Sequence, residues 1–292
     1  MDRPTSVLLT GATGFVGRHL YPELWKAGFR VRCASRDPMG AARRFPGREW
    51  VRFDSLDPAS VAVALRDVDA AVYLVHAMAG GPGYATREAA AAGIFRDEAN
   101  VAGLRRVVYL GGVAPTGTPS PHLQSRLDTG ATLRAGPVPV VELRAAMIVG
   151  EGSASWHICR DLAARLPFMV LPRWLESRSE PVAVGDVVRA LRRALEIPDA
   201  AVGVYDLPGP EVLTAEEILV RIARLRGTRP TTVHVPLLTP RLSSLWLRVV
   251  SGADYTVAKE LVEGLTNDLV STSPSFWAHM EGARPTPFDE AA

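Results

Sequence analysis

Thr10-Gly-Ala-Thr-Gly-Phe-Val-Gly17 joins the apolar run Val7-Leu8-Leu9 to a segment with the spacing of a helix. Phe15, Val16, Leu20, Leu24 and Trp25 recur at intervals of three and four, which predicts a helix over Val16–Ala27 with one buried face. Between strand and helix, Gly11, Gly14 and Gly17 make Gly-x-x-Gly-x-x-Gly. Gly11 allows a tight turn, Gly14 removes a side chain where backbone would meet a pyrophosphate, and Gly17 lets helix and strand pack closely. The helix N-terminus then presents unpaired N–H groups and its positive dipole end to that phosphate. A glycine-rich turn alone is weak evidence. The strand before it, the helix after it and a second strand at Val31-Arg-Cys-Ala34 make it a dinucleotide-binding expectation. Thr10, Gly11, Thr13, Gly14, Phe15, Val16 and Gly17 are therefore candidate cofactor-binding residues.

Composition fits an enzyme-sized α/β chain. The 292 residues suffice for one large domain or a domain with a smaller appendage. A net charge of +2, from 33 basic and 31 acidic residues, gives no bulk attraction to nucleic acid or anionic lipid. Cys33 and Cys159 lie far apart in apolar segments, which reads as buried free thiols rather than a disulfide or a metal site, and no metal is expected. With no signal peptide and no apolar run near the length of a membrane span, the expectation is a cytoplasmic protein.

Strands and helices alternate through the first two-thirds of the chain. Apolar runs at Val7–Leu9, Val31–Ala34, Ala70–Val75, Val107–Leu110 and Val138–Leu143 read as strands of a parallel sheet buried on both faces. Helical patterns separate them at Val16–Ala27, Ser60–Leu65, Tyr84–Ala102 and Pro121–Ala135. The fold class expected is α/β, a doubly wound parallel sheet with a smaller C-terminal substrate lobe, and ligands belong at the carboxyl ends of the strands. Residues 1–150 are assigned to the nucleotide-binding domain, with 181–200 returning to it, and 151–180 and 201–292 to the smaller lobe. Val182-Ala-Val184 reads as a late strand before a helix capped by Asp186, and Thr214-Ala-Glu-Glu217 as a capping box. Beyond about Thr228 the pattern becomes irregular, apart from a helical Leu242–Val250.

Several of these runs together carry a family resemblance. They are the glycine loop, Asp54-x-Leu56, Val75-His-Ala-Met78, Leu110-Gly-Gly112 and Gly209-Pro-Glu-x-Leu-Thr214. With them go Ser120-Pro-His-Leu-x-Ser-Arg126, Leu143-Arg-Ala145, Ile148-Val-Gly150 and Leu166-Pro-x-Met-Val-x-Pro-Arg-Trp174. The chain resembles an atypical, extended short-chain dehydrogenase/reductase of the NAD(P)H-binding, NmrA-like and complex I accessory-subunit-like branch. The resemblance covers nearly the whole chain and implies a Rossmann fold. It implies that Asp54 meets the adenine edge, and that Ser55, Leu56, Val75, His76, Ala77, Met78 and Gly111 also line the cofactor. It is much less specific for the reaction.

The end of the second strand bears on cofactor choice. An acidic residue there would accept from both ribose hydroxyls of NAD, whereas Ala34-Ser35-Arg36 offers an arginine that can pair with a 2′-phosphate. Asp37, before Pro38, reads as a turn residue, so NADP(H) is favoured over NAD(H). The competing reading makes Arg36 one more solvated arginine.

Members of the resembling superfamily usually carry Tyr-x-x-x-Lys on the helix after the fifth strand, the Tyr as proton donor and the Lys on the nicotinamide ribose. Here that helix reads Ser120-Pro-His-Leu-Gln-Ser-Arg-Leu-Asp-Thr-Gly130, without Tyr or Lys. His122 and Arg126 share one face at i, i+4 and are the candidate catalytic pair, His122 able to donate a proton near neutral pH and Arg126 able to hold ribose hydroxyls. A purely structural pair is the alternative. A literal Tyr255-x-x-x-Lys259 follows every recognised strand and is read as a chance match on a surface helix.

Met78, Gly112, Met147, Trp156 and Phe168 are the candidate substrate-pocket residues, with His157 and Trp174 in the same insertion and Gly80–Gly83 as a rim loop. Such an apolar, aromatic lining suits a hydrophobic or aromatic quinone, enone or other carbonyl, unless the aromatics are core of the smaller lobe. Three functions fit: an NADPH-dependent reductase, a non-catalytic NADP(H)-binding sensor, assembly or scaffold protein, and a non-redox isomerase, lyase or cyclase. Expected partners are a small hydrophobic substrate, with no nucleic acid and no membrane span, and a homodimer is left open.

Overall fold

The structure is a computed structural model that describes residues 5–76, 83–165, 168–228, 231–235 and 267–292. The first half runs β1 (Ser6–Leu9), α1 (Phe15–Lys26), β2 (Arg30–Ser35), α2 (Pro38–Arg44), β3 (Glu49–Arg52), α3 (Pro58–Leu65), β4 (Ala70–Tyr73), α4 (Tyr84–Val101), β5 (Arg106–Gly112), α5 (Pro121–Arg134) and β6 (Val140–Ala145). It continues with β7 (Ile148–Val149), α6 (Ala154–Arg165), β8 (Phe168–Pro172), β9 (Arg178–Ser179), β10 (Val182–Ala183), α7 (Val184–Ala194), β11 (Val204–Asp206), β12 (Leu213–Thr214), α8 (Ala215–Leu225) and β13 (Thr231–Val235).

Seven strands form one sheet in the order β11-β6-β5-β4-β1-β2-β3, with every neighbouring pair parallel. The chain winds outward from β1 in both directions, so the carboxyl end of β1 lies at the topological switch point, where such sheets open a crevice for ligand. One face of the sheet packs Leu9, Val108 and Leu143 against Leu20 and Leu24 of α1 and Leu191 of α7. The other packs Leu8, Tyr73 and Tyr109 against Val61 and Leu65 of α3 and Phe95 of α4. Each fully buried leucine contributes roughly 1.5–3 kcal/mol, which holds the sheet and its helices in place.

A third apolar cluster forms apart from the sheet, between α6 and α8, in the stretch that the sequence assigned to a smaller lobe. Trp156 and Ile158 of α6 meet Ile218 and Ile222 of α8, and the Phe288 ring lies 6.4 Å from Trp156 at 76°. The expected capping box is present: Thr214 accepts from the Glu217 amide at 3.1 Å while Glu217 accepts from the Thr214 amide at 2.8 Å.

Four details differ from the sequence reading. Trp25 is 66% exposed, because the buried stripe of α1 runs through Gly17, Leu20 and Leu24 and leaves Trp25 round the side of the helix. Val204–Asp206, grouped by chain position with the smaller lobe, pairs with β6 and completes the main sheet. A short helix, α2, occupies Pro38–Arg44, started by Asp37. Asp186 does not cap α7: Ala183 stands at the N-cap, and buried Asp186 sits in the first turn, paired with Arg189 and accepting from the Thr286 amide at 2.7 Å. Its carboxylate thus ties the C-terminal segment to the helix. Leu242–Val250 and the Tyr255/Lys259 spacing lie outside the described residues.

Candidate functional site

The glycine loop leaves the carboxyl end of β1 and turns at once into α1. Gly11 has φ +61°, and a Cβ there would come within 2.8 Å of the Leu74 carbonyl oxygen, so the turn accepts only glycine without strain. Gly14 stands at the N-cap and no side chain caps the helix, which leaves the first-turn amides at Phe15, Val16 and Gly17 for an anion. At Gly17 a Cβ would be driven into the Gly11 carbonyl and to 2.8 Å from the Ala12 Cα, which makes Gly17 the packing glycine. The loop therefore fits a dinucleotide diphosphate on spatial grounds as well as on spacing.

Thr10 has a different employment from the one expected. Fully buried, its hydroxyl donates to the Val72 carbonyl at 3.1 Å and accepts from the Leu74 amide at 2.8 Å, so it clamps β1 to the end of β4. Thr13 is half-buried on the loop. The half-buried Phe15 ring lies edge-on to His19 at 5.2 Å, and Val16 packs on the α1 face of the core.

Beyond β2, Arg36 is exposed. Asp37 accepts from the Gly40 amide at 2.9 Å as the N-cap of α2, which commits its carboxylate locally. Asp54, half-buried after β3, accepts from the Leu56 amide at 3.1 Å, while its own amide donates to the Ser60 hydroxyl at 2.9 Å. These bonds shape the turn that carries Ser55 and the exposed Leu56. Val75 packs on the α3–α4 side of the core. Ala77 and Met78 lie outside the described residues.

The helix after β5 forms as its sequence directs: Ser120 accepts from the Leu123 amide at 3.3 Å, and Pro121 occupies the first helical position. His122 and Arg126 come off one face of it, at the carboxyl end of β5. Arg126 Nη2 donates to the Leu110 carbonyl at 3.0 Å. The His122 and His76 rings stand 6.0 Å apart at 62°, which brings His76 from the end of β4 into the same group. Burial, reinforced by the Arg126 charge, pushes the His122 pKa down to about 4. His122 is therefore neutral at pH 7, and the expectation of a ready proton donor near neutrality gives way to that of a neutral hydrogen-bonding imidazole.

Behind this face lies a charged network that sequence reading missed. Glu142, 0% exposed on β6, pairs with Arg134 of α5 and with Arg144 at 2.6 Å. Gly111 faces this network, since a Cβ on it would come within 3.3 Å of Glu142 Oε1, whereas a Cβ on Gly112 would face Leu123 and Arg126. Of the two glycines, Gly112 points toward the His122–Arg126 face. On the neighbouring helices, buried Ser125 donates to buried Glu88, which locks α5 onto α4. A glutamate inside the apolar run Val140-Val-Glu-Leu143 was the available signal.

Among the substrate-pocket residues, Trp156 is 5% exposed in the lobe core, so its expected pocket role gives way to packing against Phe288. Met147 is half-buried against the same cluster. His157 Nε2 lies 3.2 Å from the Gly152 amide and 3.1 Å from Glu151 Oε1, so it braces the loop before α6. Gly83 stands at the N-cap of α4, while the side chains of Phe168 and Trp174 lie outside the described residues, as do residues 80–82. Cys33 is a buried free thiol pushed up to about 12 by burial, and Cys159 is free and half-buried. Among the described residues, no His, Cys, Asp and Glu cluster could hold a metal ion and no helix is long and apolar enough to cross a membrane.

A doubly wound sheet with this switch point and a glycine loop after β1 is the architecture in which α/β proteins bind nucleotides. Residues 11–136 match the family model described as NAD(P)H-binding, the same stretch in which the resemblance to extended short-chain dehydrogenases placed most of the cofactor contacts. No curated protein matches the sequence. Among solved structures, a triphenylmethane reductase from Citrobacter sp. complexed with NADP(H) is 19% identical, with TM-score 0.76 over 98% of each chain. An NADPH-dependent quinone oxidoreductase from Escherichia coli complexed with NADPH is 18% identical, with TM-score 0.77 over 98% of each chain. A nucleoside-diphosphate-sugar epimerase from Staphylococcus aureus is 14% identical, with TM-score 0.77 over 98% of this chain and 99% of its own. The fold is thus one that reductases and epimerases share.

Proposed function

We propose that the chain is an NADPH-dependent reductase of a hydrophobic or aromatic carbonyl, quinone or enone, working without Tyr-x-x-x-Lys. The observation that carries this reading is the grouping of His122, Arg126 and His76 at the carboxyl ends of β4 and β5, the same end of the sheet at which the glycine loop opens. When bound, the nicotinamide supplies the hydride. The chain's own work is positional: the glycine loop holds the diphosphate, Arg126 donates to ribose hydroxyls, and neutral His122 hydrogen-bonds the substrate oxygen while the proton comes from water. Preference for the phosphorylated cofactor rests on Arg36 being exposed and on Asp37 being committed to its cap. The reductase neighbours that hold NADP(H) support it further.

A second reading, an NADP(H)-binding protein without turnover, draws support from the same helix. It carries neither Tyr nor Lys, and its histidine titrates near pH 4, so it holds no ready acid at neutral pH. NADPH titration followed by consumption assays against quinones, aromatic aldehydes and cationic dyes separates the two. Oxidation of NADPH by any class rules out the silent binder. Tight binding with no turnover on all three sinks the reductase.

A further inference from the structure

Arg18 is the fourth residue of α1, one turn beyond the N-cap Gly14. Helix side chains lean toward the N-terminus, so a long cation at this position lies back over the first turn. Arg18 does this: its Nε approaches the Gly14 carbonyl at 3.3 Å. The residue is exposed, and no carboxylate among the described residues pairs with it. Arg160 on α6, by contrast, is paired with Glu151 and Asp161.

The loop after β7 is shaped around the same guanidinium. Gly152 has φ +98°, and a Cβ there would lie 2.6 Å from Arg18 Nη2 and 3.3 Å from the Phe15 ring. Gly150 is crowded likewise, with Val184 Cγ1 at 2.6 Å from a built Cβ. His157 and Glu151 hold this loop from the smaller-lobe side. Two backbone segments, both glycine where they meet Arg18, thus flank a cation that no carboxylate among the described residues pairs with, beside the glycine-loop turn.

We propose that Arg18 is a diphosphate-binding residue of the cofactor site, and that Gly152 is glycine so that the guanidinium can swing between the two loops. This rests on the reading of the chain as an NAD(P)H-binding protein. The guanidinium donates to an oxygen common to NADPH and NADH, so it adds affinity without selecting between them. It also links cofactor binding to the smaller lobe, because the loop it touches is braced by α6.

The test is titration of wild type, Arg18→Met, Arg18→Lys and Gly152→Ala with NADPH and with NADH, followed by calorimetry. Arg18→Met is expected to raise both dissociation constants by the same factor, about tenfold or more, with an intermediate effect for Arg18→Lys. Its melting temperature without nucleotide stays within a few degrees of wild type, as the bond lost is the exposed 3.3 Å contact with the Gly14 carbonyl and no ion pair goes with it. Gly152→Ala weakens binding in the wild-type background and has no further effect in Arg18→Met. Unchanged affinity in Arg18→Met overturns the assignment, and so does a loss confined to NADPH, which would move Arg18 to the 2′-phosphate. Wild type that binds neither nucleotide overturns the cofactor reading itself, a result distinct from either of these.

Discussion

Arg126 reaches back from α5 to the Leu110 carbonyl at 3.0 Å, so the side chain expected to serve the cofactor also fastens the helix to the end of β5. The Tyr109 hydroxyl completes the junction by donating to the Arg126 carbonyl at 2.9 Å. Arg126→Met removes the first of these bonds and keeps the second. We expect a stability loss of about 1 kcal/mol, typical of one hydrogen bond, and a larger rise in the cofactor dissociation constant. Denaturant unfolding and NADPH titration on the same preparation read the two separately. A binding loss no larger than the stability loss would make Arg126 a structural residue only.

Cofactor selectivity is expected to follow Arg36. Arg36→Ala should weaken NADPH about tenfold or more while NADH changes little, since a charge-assisted phosphate contact is lost in one case only. Asp37→Ala should instead lower stability by roughly 0.5–2 kcal/mol through loss of the α2 cap, with no change of preference. Equal losses of both nucleotides in Arg36→Ala would remove it from the phosphate site.

His122 gives the fold a pH dependence of definite sign. Its pKa is about 4 in the fold, through burial and the Arg126 charge, against an ordinary value of 6.5. Between those limits the unfolded chain binds more protons than the native one, so stability is lost as pH falls from about 6.5 toward 4. His122→Gln is expected to flatten this decline, by an amount of order 1–3 kcal/mol at the acid end. For the same reason a pH–rate profile carries no limb near 6.5 that belongs to His122. Urea unfolding at a series of pH values checks the first point, and an unchanged slope in the variant refutes it.

The carboxylate of Glu142 sits where a side chain on Gly130 would have to go, 2.7 Å from its Cδ. Gly130 is buried on α5, so the helix reaches β6 only because this position has no Cβ. Gly130→Ala either displaces α5 or disturbs the Arg134–Glu142–Arg144 network. We expect destabilisation of about 2–4 kcal/mol and weaker cofactor binding through the shifted His122–Arg126 face. Native melting with native affinity would show that the helix accommodates a methyl group.

The parts of the molecule legible in the sequence are those governed by local rules. The glycine loop, the Ser120 cap and the Thr214–Glu217 box all depend on residues within a few positions of one another, and the structure shows each. Apolar runs identified five strands of the doubly wound sheet, but the charged ends of Glu49–Arg52 hid the strand beside β2, and patterning could not say which neighbour Val204–Asp206 would choose, since strand pairing is set by tertiary packing. For Trp156, the sequence left core and pocket equally open, and the meeting with Phe288, far along the chain, decided for core. The burial that lowers the His122 pKa and the pairing of Glu142 with Arg134 of another element depend on tertiary packing, which no spacing encodes.

The glycines of the loop are expected to fail in different ways. At Gly17 an added Cβ meets backbone, the Gly11 carbonyl and the Ala12 Cα, and neither can move without opening the junction of β1 and α1. Gly17→Ala is therefore a folding lesion, costing roughly 2 kcal/mol or more. Gly14 has ordinary extended dihedrals, φ −77° and ψ 176°, and the nearest atom to a built Cβ is the Gly11 oxygen at 3.1 Å. Gly14→Val is thus expected to melt within a few degrees of wild type yet to lose NADPH and NADH together, because its branched side chain occupies the approach to the first-turn amides. Thermal melts with and without nucleotide make the comparison directly. If Gly14→Val still gains thermal stability from NADPH as wild type does, the diphosphate does not lie on the N-terminus of α1.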